Sequence, residues 1–141
     1  MRKQTKYRLT PVEKAVMRQK WGSAALKAHL QALAGENWNT VVENAAILTF
    51  IVGGAADVDK VPNTDPDLRI LAGTANALME IAYNEGIRSA DRGALSAGIM
   101  AIERLVPRLT DHAMITASMS AQMLMAQGGI YGKHFQDVFK R

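Results

Sequence analysis

Residues 41–56 read VVENAAILTFIVGGAA, and after Asn44 this run shows no polar face. A helix that is apolar on every side belongs inside a protein or inside a membrane. The unbroken part, 45–56, is too short for a bilayer, which takes about 20 apolar residues. The run therefore predicts a buried central helix, and the rest of the chain has to supply what wraps it.

That remainder reads as helices punctuated by caps, prolines and glycines. Thr10-Pro11-Val12-Glu13 opens one: Thr10 caps, Pro11 suits the first helical position, and Glu13 closes a capping box. This helix runs to about Leu33, with Gly35 just past its end. Gly22-Ser23 marks a bend or a break in it. Its apolar positions are Val12, Val16, Leu26, Leu30 and Leu33. Asn39 or Thr40 begins the central helix, and Thr40-Val41-Val42-Glu43 repeats the capping-box pattern. Gly53 and Gly54 weaken its last turns by roughly 1 kcal/mol each relative to alanine, so a neighbouring backbone is expected close to them.

A polar break at 57–64 comes next, and Asp65-Pro66 starts a further helix. Its apolar repeat Leu68, Leu71, Ala75, Leu78, Ala82 is the cleanest in the chain. Gly86 is expected to end it, with Ile87 folding back over the last turn. Ser89 caps the following helix, which runs to about Val106. It carries one large apolar stripe (Leu95, Ile99, Ile102, Val106) and one small-residue stripe (Ala94, Ala97, Gly98, Ala101). Small residues let two helices approach closely. Thr110 or Asp111 begins a methionine-rich helix that stops at Gly128-Gly129. The tail places Tyr131, Phe135 and Phe139 four residues apart, the spacing of a short docking helix.

The expected fold class is all-α: a compact bundle of about five helices around 41–56. Residues 1–9 form a basic N-terminal arm, 10–129 a single helical domain, and 130–141 a C-terminal tail or short helix. At 141 residues the chain is long enough to bury a real core. It has no cysteine, which removes disulfides, thiolate metal sites and a cysteine nucleophile. The basic start has no apolar stretch behind it and does not read as a secretory signal. The expected location is the cytoplasm, with no membrane partner.

Charge is unevenly placed. Residues 1–29 carry eight Lys and Arg against one acid, Glu13, a charge of +7; the remaining residues sum to −3. Arg2, Lys3, Lys6, Arg8, Lys14, Arg18, Lys20 and Lys27 form a handle for an acidic partner, nucleic acid among them. Tyr7 and Trp21 add aromatic surface on which bases stack.

Chemistry-bearing patterns are sparse. Asp57, Asp59, Asn63, Asp65 and Asp67 alternate through the polar break, a spacing that suits oxygen ligands for Ca²⁺ or Mg²⁺. The stretch lacks the turn glycine and the twelfth-position glutamate of a calcium loop, so metal binding there stays open. His29, His112 and His134 are scattered. No nucleophile elbow, phosphate loop or GxGxxG is present. No catalytic set, cofactor, resident metal or small-molecule substrate is expected.

The reading that follows is a non-enzymatic helical interaction protein, an adaptor or an inhibitor that binds a larger protein assembly, itself a dimer or higher oligomer. Ala94, Ala97, Gly98, Ala101, Met114, Met119, Met123, Tyr131, Phe135 and Phe139 are its candidate interface residues. The alternative is a DNA- or RNA-binding accessory protein that uses the eight cations of the N-terminal end.

Overall fold

The computed structural model describes residues 38–130 and 132–139. Among them the secondary structure is helical. Five α-helices follow in order: α1 (Trp38–Val58), α2 (Pro66–Asn84), α3 (Ser89–Leu105), α4 (Asp111–Ala126) and α5 (Gly132–Phe139). A single 3₁₀ turn, Val106–Arg108, ends α3. The expected basic arm and the expected helix over 10–33 lie outside the described residues. None of the described helices is long and apolar enough to cross a membrane.

The apolar run takes the central place its composition requires. α1 packs against each of the other four helices, most broadly along α4 and α2. Leu48, Val52, Ala55 and Ala56 are buried within it. The helix continues two residues further than expected, through Asp57 and Val58, so the polar break is shorter. Lys60, with φ of 58°, turns the chain out of it.

Local chemistry sets most helix ends. The Asp65 carboxylate accepts from the backbone N–H groups of Asp67 (3.0 Å) and Leu68 (3.2 Å), and Pro66 occupies the first helical position of α2. Thr110 Oγ1 accepts from the Ala113 N–H at 3.1 Å and caps α4. Two ends differ from expectation. Glu85, not Gly86, adopts the left-handed conformation after α2 (φ 55°, ψ 40°), and Gly86 N–H closes the motif on the Ile81 carbonyl at 3.2 Å. Ser89 is the first helical residue of α3 and not its cap. Arg88 holds the cap position, because the Asp91 carboxylate reaches back to its N–H (2.9 Å) and to its guanidinium.

α2 and α3 form a tight pair with Thr74 in the seam. Its hydroxyl donates to the carbonyls of Ile70 and Ala94, each at 3.1 Å. Gly98 faces it so closely that a β-carbon there would lie 2.6 Å from Thr74 Cγ2. α1 and α4 run antiparallel, since Gly54 lies against Ala117 and Asp59 hydrogen-bonds Thr110. Ala113, Ala117 and Ala121, four apart, make the flat side of α4 that meets α1. The close approach expected at the two glycines is present, but side chains make it. Phe139 and Val138 of α5 press on Gly53.

Candidate interaction surface

The predicted interface residues separate into a buried set and an open set. Met114 is fully buried in the core and is not available to a partner. Its place on α4 puts it on the side that meets α1. Gly98 and Ala101 are also buried, inside the α2–α3 seam, so these two are internal packing and not an outer seam. Ala94 is half-buried, and its carbonyl serves Thr74. Ala97 alone of that stripe is exposed. Phe135 is 4% exposed and packs edge-on against Phe50, ring centroids 6.5 Å apart. Phe139 is half-buried over Gly53. The aromatic tail thus docks on its own chain. Tyr131 and the eight cations from Arg2 to Lys27 lie outside the described residues.

The large candidate side chains that remain open, Met119 and Met123, lie on α4. Met119 is 43% exposed and Met123 62%. Separated by one helical turn, they form a ridge of two long, unbranched apolar side chains. Beside this ridge is a cleft of about 290 Å³ between α4 and α5, floored by Phe50 of α1. Met123, Leu124 and Val138 give it apolar walls, and Ser120, Gln127, His134 and Asp137 rim it. Sequence reading missed the cleft because its residues come from three helices far apart in the chain. The strong amphipathicity of 132–139 was the one available signal, and it identifies the docking helix without its groove.

Ser120, His134 and Asp137 are the residue types of a hydrolytic relay, and they share this rim. A relay needs the base hydrogen-bonded to both the nucleophile and the acid. In the structure these three side chains share the polar rim of an otherwise apolar groove.

Three acids of the stretch 57–67 are engaged with partners from the α3–α4 corner. Asp59 accepts from Thr110 N and Thr110 Oγ1, both at 2.8 Å. Asp65 pairs with Arg108 at 2.5 Å, and Asp67 with Arg104 at 2.8 Å. They tie the α1–α2 connection to the α3–α4 corner. The Arg108 guanidinium holds the Asp65 carboxyl below the usual carboxylate range, helped by the N–H groups of Leu68 and Asp67 and opposed by partial burial. Among the described residues no group of three or more His, Asp or Glu side chains converges on a point where a metal ion would sit.

No family model, curated protein or solved structure matches the chain. Its function has to be argued from its own surface.

Proposed function

We propose that the protein is a non-catalytic helical bundle that self-associates through the Met119–Met123 ridge of α4, and that the assembled form serves as an adaptor or inhibitor on a larger protein assembly. One observation carries this reading: Met119 and Met123, one helical turn apart, stand exposed beside an apolar cleft, while Met114, Ala113, Ala117 and Ala121 of the same helix are buried. Methionine is adaptable and recurs on protein-binding surfaces. Contiguous exposed apolar surface in a folded domain marks an interaction site. A ridge on a single helix is self-complementary about a two-fold axis, and two-fold dimers are the commonest assembly.

The chain has no cysteine, so a thiol introduced at Met123 is unique. In the Met123→Cys protein the rate of thiol labelling should fall as protein concentration rises. A thiol at Met100, exposed on α3, should label at a constant rate. Equal behaviour of the two positions would remove the ridge from the interface.

A second reading rests on the +7 charge of residues 1–29. If that end binds duplex DNA, log K falls with log salt at about −0.9 per phosphate contacted, and four to six contacts give a slope of about −4 to −5. A fluorescence-anisotropy titration at two salt concentrations decides it. Absence of binding at low salt would eliminate this reading.

A further inference from the structure

α5 stands off α4, and the chain between them shows why. Gly128 and Gly129, at φ of 124° and 125°, turn the backbone away from the end of α4. The α5 backbone then comes close to α1 and α2 instead. Phe135 fixes it on the Phe50 ring, and Val138 and Phe139 press on Gly53. Helices packed at the usual spacing of about 8–10 Å fill the space between them with side chains. Here a cleft of about 290 Å³ stays open above Phe50, between Leu124 of α4 and Val138 of α5. Small-molecule sites run from about 300 to 1,000 Å³ and combine an apolar lining with a few polar groups. This cleft has that character at the small end of the range, with room for one ring or a short aliphatic chain.

We propose that the cleft binds a small organic cation, with an apolar ring or chain seated on Phe50, Leu124 and Val138 and an ammonium group held at the rim by the Asp137 carboxylate. Charge supports the assignment. Asp137 is the one carboxylate among the lining residues, and no described lysine or arginine lines the cleft. The rim also reaches Gln127, which closes the C-terminal end of α4. A helix C-terminus carries about half a negative charge, and neither α4 nor α5 has a basic residue in its last turn to offset it. Hydrogen bonding agrees with charge. An ammonium only donates, and the Asp137 carboxylate, the Gln127 side-chain oxygen and the Ser120 hydroxyl all accept. The site goes beyond self-association and does not rest on it, since α1, α4 and α5 of one chain build it.

A methyl-detected NMR titration of the full-length protein with phenethylamine tests this. With Met, Leu and Val methyls labelled, those of Met123, Leu124 and Val138 should shift and saturate, and that of Met100, exposed on α3, should not. Phenethyl alcohol, the neutral analogue, should bind about two- to fivefold more weakly, the ratio that an exposed ion pair supplies. Hydrocinnamate, the matching anion, should bind more weakly still. Asp137→Asn, at an exposed position of α5, should bring the amine down to the affinity of the alcohol. No saturable shift at the three methyls, equal shifts at Met100, equal affinity for the three probes, or an amine preference that survives Asp137→Asn would overturn the proposal. The oligomer reading survives each of these results, because chain mass in solution is read separately.

Discussion

Adding one methyl group at each of three glycines separates the packing described here from helix propensity. Gly98 on α3 faces Thr74 across the α2–α3 seam, and a β-carbon there would sit 2.6 Å from Thr74 Cγ2 and 2.7 Å from its Cβ. These atoms are fixed close to the α2 backbone, and Thr74 is buried with its hydroxyl tied to two carbonyls, so the contact cannot be relieved by a flexible tip. Overpacking of this kind costs about 1–3 kcal/mol. Gly73 on α2 and Gly93 on α3 have nothing within 4 Å of an added β-carbon. All three positions are helix interior, so alanine contributes a propensity gain of up to about 1 kcal/mol at each. That gain cancels in the comparison. Gly73→Ala and Gly93→Ala should stabilise, and Gly98→Ala should fall below them by about 1–3 kcal/mol, or roughly 3–12 °C in Tm. Chemical denaturation of the three variants reads this directly. Thr74→Ala should recover part of the loss in the double variant, because it removes the Oγ1 and Cγ2 atoms that collide. Gly98→Ala as stable as Gly73→Ala would refute the closely packed seam.

Three further outcomes follow from particular contacts. Phe135→Ala should cost about 3 kcal/mol by removing the ring that packs on Phe50, with the loss read from the denaturation midpoint; an unchanged midpoint would mean that α5 contributes nothing to the fold. Glu85→Gly should stabilise by about 0.5–1 kcal/mol, since Glu85 holds a left-handed conformation that costs a side-chain-bearing residue energy; a loss of stability would contradict that backbone geometry. Because Arg108 lowers the Asp65 pKa in the folded state, the stability this pair contributes is present above about pH 4 and lost as the pH falls through the depressed value. The stability gap between wild type and Arg108→Ala should therefore be open at pH 7 and close under acid conditions, and a gap independent of pH would argue against the pairing.

The parts of the fold legible in the sequence are those governed by local chemistry. Asp65-Pro66 and Thr110 act as caps because a side-chain oxygen two or three residues from an unpaired N–H meets it in almost any context. The central helix was legible because an all-apolar surface has nowhere else to go. Glu85 was hidden, since Gly86 is the better left-handed residue and only the placement of α3 decides which of them turns. The fates of Met114 and Met119 were hidden for a related reason. Both sit on one helix at spacings that allow core or surface, and the alanine side that meets α1 decides between them. The candidate site was the least legible part. Its cleft joins residue 50 to residues 120–127 and 134–138, and no spacing along the chain encodes that meeting.

Under the proposed function, the exposed ridge on α4 joins two copies of this chain. Multi-angle light scattering at micromolar concentration tests it most directly, applied to the wild-type protein and to Met119→Asp/Met123→Asp. Wild type should run at twice the chain mass of 15.3 kDa or more, and the double variant at the chain mass with its helical circular dichroism retained. A wild-type mass of one chain, or an oligomer that the two aspartates leave intact, would contradict the account.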